Sequence, residues 1–139
     1  MEITAVALQT VEANQNVLFT DVVTCGNPSI FHRAGSGLVT LRGLTSQCRA
    51  RFKVSFGGNI AIPTGGTVEA ISVALTINGE PVGSTIMIET PTAVESFSNI
   101  FTAVYIDVPA GCCLTVSVRN ISTQAIEIQN ANLIAERVA

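Results

Sequence analysis

Few side chains in this sequence could carry out chemistry, and they do not form a recognisable catalytic set. His32 is the only histidine, and its neighbours Phe31 and Arg33 do not provide the setting of an acyl-transfer triad. Asp21 and Asp107 are the only aspartates, so neither a pair of glycosidase acids nor a calcium cage has a local signature. We therefore expect no enzymatic activity, no metal site and no cofactor, with His32 in a loop or at a strand end.

The four cysteines, Cys25, Cys48, Cys112 and Cys113, could bind a metal or form disulfides. The absence of a CxxC pair argues against a metal site. A bridge between the adjacent Cys112 and Cys113 would be strained, because neighbouring strand residues face opposite sides. Cys48 and Cys112 each align with an alternating apolar pattern, so we expect reduced cysteines that act as small core residues. A Cys25–Cys48 disulfide is the alternative.

Three of the seven positive charges lie together in the segment RARFKVSF, residues 49–56. Arg49, Arg51 and Lys53 alternate with apolar residues, which predicts a strand with one buried and one basic face. The basic face is either solvated or a stripe that docks an acidic partner or a neighbouring subunit. The net charge of −3 indicates no nucleic-acid partner and no attraction to an anionic membrane.

The composition indicates a single domain, residues 1–139, that buries much of its surface against other chains. Charged residues make up only 12% of the sequence, compared with about 25% in ordinary soluble domains. No apolar run reaches the roughly 18 residues that a membrane helix needs, so we expect no membrane insertion. A chain with so few charges would expose a large apolar surface as a monomer. We therefore expect an obligate oligomer.

No secretory signal is recognisable at the beginning of the sequence. Met1-Glu2 places an acid where a basic segment would be expected, and the apolar stretch at residues 3–8 is short. We expect synthesis in the cytoplasm, followed by use inside the cell, by export without a classical signal, or by release within an assembled particle. Asn120-Ile121-Ser122 matches a glycosylation sequon, which carries little weight without a secretory signal.

The segment VEAISVALTINGEPV, residues 68–82, shows the scheme on which the whole chain is built. Apolar residues at every second position predict a strand with one face in a core, and Asn78-Gly79 has the composition of a tight hairpin turn. Similar short strands recur along the chain, and no helical period is visible. This pattern predicts an all-β, antiparallel sandwich of about ten strands, of jelly-roll or Greek-key type. Further turns are expected at Gly57–Asn59 and at Pro63–Gly66.

The strand predicted at residues 97–108 is apolar on both faces, so one face can fill the sandwich while the other needs a second surface. The last strand is apolar as well, although its alternation slips between Ile128 and Leu133. We predict that these two strands form an interface between subunits, through Phe97, Phe101, Tyr105, Leu133 and Ile134.

Several segments, in this order, resemble the complement globular-head and tumour necrosis factor-like superfamily. Residues 37–40 and 52–56 are similar to its early core strands, and ALTINGEPV, residues 74–82, is similar to its strand and "NG-x-P" hairpin. Residues 101–118, FTAVYIDVPAGCCLTVSV, resemble two paired strands joined by a short "x-AG-x" turn, and residues 132–138 resemble the final strand. The resemblance covers the chain from about residue 30 onward.

The resemblance implies a ten-stranded jelly roll that assembles as a compact homotrimer. It also implies the bacterial or bacteriophage type, whose members serve as tips, knobs or decorations on virions and cell surfaces. The usual stalk and the acidic loop residues that hold calcium have no counterpart here, so attachment through the domain's own surface is expected and no metal site is carried over. The alternative is a receptor- or glycan-binding adhesion module that uses the loops at Asn59–Gly66 and Thr90–Glu95.

Overall fold

The computed structural model describes residues 1–25 and 28–139, which form twelve strands and one short 3-10 helix, Gly83–Thr85. The strands are β1 (Glu2–Ala5), β2 (Gln9–Val11), β3 (Asp21–Thr24), β4 (Ile30–His32), β5 (Val39–Arg42), β6 (Arg49–Ala61), β7 (Ile71–Ile77), β8 (Glu80–Pro81), β9 (Met87–Glu89), β10 (Ser98–Pro109), β11 (Cys113–Asn120) and β12 (Ile126–Arg137).

The strands form two antiparallel sheets. The front sheet has the order β10-β6-β12-β1-β3, with β2 paired to β12, and the back sheet has the order β4-β5-β11-β7-β8, with β9 paired to β7. Strands that follow one another in sequence, such as β5 and β6 or β10 and β11, lie in different sheets, so the chain crosses repeatedly between the two layers. This architecture confirms the predicted all-β jelly-roll sandwich.

The core lies between the sheets and consists of the alternating residues that the sequence predicted. Phe52, Val54 and Phe56 of β6 point inward and are fully buried, as are Val73 and other apolar residues of β7. An edge-to-face contact between Phe19 and Phe56, with ring centroids 6.3 Å apart, packs the segment before β3 onto the centre of β6. The buried apolar residues of both sheets form a single continuous cluster.

Two irregularities were correctly anticipated. Asn78 and Gly79 both have positive φ, 51° and 87°, which is the geometry of a two-residue hairpin turn. The pairing of β12 with β6 shifts register between Gln129 and Asn132, where Asn130 has a φ of 55°. This β-bulge is the slip in the alternation of the last strand.

The turn predicted at Gly57–Asn59 is wrong, because these residues lie inside β6. They pair on one side with β10, where Gly57 is opposite Phe101, and on the other side with β12, where Gly57 is opposite Asn132. Backbone hydrogen bonds from two long neighbours outweigh the local preference of two glycines for a turn.

The two ends of the sandwich are named here the base and the top. The base contains the connections at residues 43–48, between β5 and β6, and at residues 110–112, between β10 and β11. The top contains the connections at residues 62–70, 90–97 and 121–125, together with the segment that follows β2. The strands of both sheets run between these two ends.

Gly43 joins the two connections of the base through backbone hydrogen bonds. Its N–H donates to the carbonyl oxygen of Cys112 at 2.8 Å, and its own carbonyl accepts from Gly111 N at 3.0 Å. A Cβ atom at residue 43 would collide with the carbonyl oxygen of Pro109. Only glycine lets the two base connections approach this closely.

We therefore predict that Gly43→Ala lowers the free energy of unfolding by about 1–3 kcal/mol, because backbone atoms must move apart. The matched control is Gly83→Ala, where an added Cβ meets nothing within 4 Å. Urea unfolding monitored by circular dichroism measures both variants. Equal stability of the two variants would contradict this account of the base.

Candidate functional site

The outer face of the front sheet carries an exposed apolar surface. The side chains of Phe101 and Tyr105 on β10 are 66% and 64% exposed, and Phe97 and Ile134 are also exposed. They are named here the aromatic face: Phe97, Phe101, Tyr105 and Ile134. Buried and more exposed residues alternate along β10, because successive side chains of a strand point to opposite faces. The residues between the core positions therefore form the outer face.

Glycine in β6 shapes this face. Gly57 lies opposite Phe101, and a Cβ at residue 57 would be 3.6 Å from Cδ2 of the Phe101 ring. The ring therefore lies over a backbone position that has no side chain of its own. Tyr105 lies opposite Lys53, which in turn lies opposite Glu136 on β12. The aromatic face is thus bordered by a pair of opposite charges.

Leu133 does not belong to this surface, which corrects one of the five predicted interface residues. Its side chain is only 1% exposed and packs in the core, whereas the adjacent Ile134 points outward. The bulge at Gln129–Asn132 moves the inward positions of β12 from even to odd numbers, so Leu133 faces inward.

The basic stripe lies on the same outer face, close to the base. Arg51 donates two hydrogen bonds to Asp107, from Nε at 2.8 Å and from Nη2 at 3.0 Å, and Arg49 Nε lies 3.1 Å from the same carboxylate. The hydrogen bonds from Arg51 lower the pKa of Asp107, and Asp107 raises the pKa of Arg51. Two of the three predicted docking residues therefore share one acidic partner within the chain, which the sequence did not reveal.

The expected role of the cysteines in the core is wrong. Cys25, Cys48, Cys112 and Cys113 are all exposed and unpaired, so the Cys25–Cys48 disulfide is absent too. Cys48 and Cys112 directly precede the first residues of β6 and β11, at the point where each strand leaves the base. The alternating apolar pattern of each strand continues for one residue before the strand begins. At that residue the opposite sheet no longer covers the side chain, so the cysteine is exposed.

Two polar residues that sequence reasoning singled out hold the fold together. The ring nitrogens of His32 lie 3.0 Å from the carbonyl oxygen of Leu38 and 3.3 Å from that of Phe19. Asn120 is fully buried, and its Nδ2 donates to the carbonyl oxygens of Val11 and Gln124. His32 ends β4, as expected, and the Asn120 sequon is not accessible for glycosylation.

A pair of carboxyl groups at the top was not anticipated. Glu127 on β12 is only 7% exposed, and its buried Oε2 receives no hydrogen bond from the donors in residues 1–25 and 28–139. It lies beside Glu95, whose Oε1 accepts from both the backbone N–H and the hydroxyl of Thr64, at 3.1 and 3.0 Å. The two carboxyls can bond to each other only when one of them keeps a proton.

The surroundings decide which carboxyl keeps the proton. Burial raises the pKa of Glu127, and the neighbouring Glu95 raises it further. The hydrogen bond from the Thr64 hydroxyl lowers the pKa of Glu95, with Glu127 contributing next. Of the two carboxyls, Glu127 therefore keeps a proton to the higher pH, and the pair links β12 to the top connections at residues 62–70 and 90–97. Such a pair is invisible in sequence, because its members are 32 positions apart.

No group of three or more histidine, cysteine, aspartate or glutamate side chains is arranged to hold a metal ion in the described part of the chain. Within the same residues, no helix is long and apolar enough to cross a membrane.

We predict that Glu127→Gln makes stability less dependent on pH. Protonated Glu127 stabilises the fold fully below its ordinary pKa of 4.5, and this contribution is lost as the pH rises through the raised pKa in the folded state. The variant keeps a neutral donor toward Glu95, so it should be more stable than the wild type at neutral pH and gain nothing below pH 4.5.

Urea unfolding across that pH range measures the difference between variant and wild type. Glu69→Gln is the control, because the Glu69 carboxylate is exposed and accepts hydrogen bonds from Thr123 and Gln124. A constant difference between Glu127→Gln and the wild type at all pH values would refute the shared proton.

Comparisons with known proteins place the fold. No protein-family model matches the chain, and no curated protein matches it. Among solved structures, the globular domain of zebrafish complement 1qA protein is similar with a TM-score of 0.63 and 11% identity, over 96% of this chain and 93% of that chain. Eiger TNF from S. frugiperda is similar with a TM-score of 0.67 and 14% identity, over 100% of this chain and 92% of that chain. The chain therefore has the jelly-roll fold of complement globular domains and tumour necrosis factors.

Proposed function

We propose that this protein is a non-enzymatic structural module that assembles as a homotrimer. In this proposal the trimer is a component of a virion or a cell surface of a bacterium or bacteriophage, where it serves as a decoration, knob or fibre tip. The proposal places its synthesis in the cytoplasm, before it joins the particle or surface.

The observation that carries the proposal is the aromatic face. Large aromatic side chains that are two-thirds exposed on the outer face of a sheet are typical of a surface that another protein covers. The ring of Phe101 lies over Gly57, which has no side chain, and its outer side is open to a neighbouring subunit. The low content of charged residues, 12%, supports burial of a large surface in an assembly.

The polar residues support a structural role rather than catalysis. His32 and Asn120 bind backbone carbonyls, and Asp107 is held by Arg49 and Arg51. Catalysis needs a nucleophile or base that is directed at a substrate in a cleft. In these residues the hydrogen-bonding groups are instead directed at the protein itself.

We predict that the wild type has a mass in solution of three times 14.5 kDa, or a multiple of that mass, and that Phe101→Asp has a lower mass. An aspartate in the centre of a dry interface would be an unpaired buried charge. Light scattering on a sizing column measures the mass, and circular dichroism checks that the variant is folded.

The matched control is Leu38→Asp, which places the same charge at an exposed apolar residue beside the back sheet. It should leave the mass unchanged. A wild type that is monomeric, or a Phe101→Asp variant that assembles like the wild type, would rule out the proposed interface.

A further inference from the structure

The base carries an excess of positive charge. Arg42 ends β5, Arg49 and Arg51 begin β6, and Arg137 ends β12. Asp107 is the carboxylate side chain that faces two of these four arginines. Arg137 instead donates to the carbonyl oxygen of Leu44 at 2.7 Å and, from Nε, to an oxygen of Ala139 at 3.2 Å. The four arginines therefore outnumber the one side-chain carboxylate that the described ion pairs place beside them, while Lys53 and Glu136, which lie opposite each other on β6 and β12, add no net charge.

The top carries the opposite charge. Its connections and the adjoining strand ends contain five glutamates, Glu12, Glu69, Glu89, Glu95 and Glu127, and one arginine, Arg119 near the end of β11. Glu12 and Glu69 are exposed, and the partners of Glu69 are neutral hydroxyl and amide groups. The fold has thus gathered opposite charges at its two ends.

The cysteines give an independent reason to regard the base as a covered surface. All four lie at the base, beside the ends of β3, β6 and β11, and all four are exposed. Cysteine is among the residue types most often buried in proteins, and exposed thiols are open to oxidation. Four exposed thiols at one end, and none elsewhere in the sequence, indicate that another surface shields this end.

We propose that copies of this protein stack end to end, with the base of one copy on the top of the next. The charges of the two ends indicate which surface covers the base. Base against base would bring arginines together, and top against top would bring carboxylates together, whereas base against top pairs opposite charges. Such a contact is heterologous and does not close on itself, so it builds an open stack.

The distance between the ends makes stacking between molecules effective. A strand of 13 residues such as β6 spans about 43 Å, whereas charges in physiological salt are screened over about 8 Å. The two ends of one molecule therefore do not neutralise each other. Each end interacts with whatever lies directly against it.

Stacking is also compatible with the trimer. Contact through the outer face of the front sheet leaves both ends free, because the strands of that sheet run from base to top. A trimer would then present three bases on one side and three tops on the other. The inference rests on the proposed assembly role and names the partner in that assembly as further copies of the same chain.

The first test is the mass of the reduced wild-type protein in low and high salt. Between about 0.01 M and about 1 M salt the screening length falls from about 30 Å to about 3 Å. We expect masses that are multiples of the unstacked assembly in low salt, and the unstacked mass in high salt. A wild type that keeps one mass at all salt concentrations would overturn the inference and would leave the top loops free for an adhesion role.

The second test uses two variants with matched changes of charge. Glu12→Lys with Thr92→Lys adds three positive charges to the top, and Arg42→Glu with Gln47→Glu adds three negative charges to the base; all four residues are exposed. Each variant alone should stay unstacked in low salt. Mixed together in low salt, they should stack, because the intact base of the top variant meets the intact top of the base variant and the two altered ends also carry opposite charges.

Thiol reactivity gives a readout that is independent of mass. After removal of the reductant, the cysteines of the wild type should react more slowly with Ellman's reagent in low salt than in high salt. The top variant should show no such slowing, since its base stays uncovered. Stacking by either variant alone, or equal thiol protection in the wild type and the top variant, would overturn the inference.

The two proposals fail in distinguishable ways. Phe101→Asp tests the trimer and leaves both charged ends intact. Its mass in high salt should therefore be lower than that of the wild type, and its mass should still rise in low salt. If the wild type is monomeric in high salt but stacks in low salt, the trimer is wrong and the stacking stands. If the mass is that of a trimer at every salt concentration and never a multiple of it, the trimer stands and the stacking is wrong.

Discussion

The structure depends on the long antiparallel pairing of β6 with its two neighbours. β10 pairs with β6 along twelve consecutive residues, from Ser98 opposite Ile60 to Pro109 opposite Arg49, and β12 pairs with its other edge. This ladder fixes the period of two across the front sheet. One side of that period fills the core, and the other side displays Phe101 and Tyr105 to the exterior.

The polar groups of the interior serve this framework. His32 joins the β4–β5 hairpin to the segment before β3, and Asn120 joins the start of the chain to the top connections. The pair of Glu95 and Glu127 links β12 to the connection at residues 90–97 through a shared proton, because a buried carboxylate without a donor would be costly. A sandwich whose buried polar groups are used in this way presents a rigid scaffold, and its remaining features lie on its surface.

These surface features have different directions. The aromatic face is apolar and lies along the strands, which suits lateral contact between subunits. The ends are charged, with arginines and thiols at the base and carboxylates at the top, which suits axial contact. A module with one apolar side and two complementary ends has the geometry of a building block, and this is the basis of the structural role proposed here.

The sequence by itself determined what depends on neighbouring residues. Alternation in β6, β7 and β10 indicated the buried and exposed faces, and Asn78-Gly79 indicated a hairpin turn. These features follow from side-chain direction and backbone freedom, which are local properties. The class of fold, and most of the aromatic face, could therefore be predicted.

Only the tertiary structure decided what depends on distant residues. Gly57–Asn59 became part of a strand because two partners supplied hydrogen bonds, and Leu133 turned inward because a bulge changed the register. The cysteines are exposed because the sandwich ends before them, and Glu95 meets Glu127 because two connections converge at the top. In each case the outcome depends on which strand lies alongside, and that choice is made by packing across the whole chain rather than by the residues on either side.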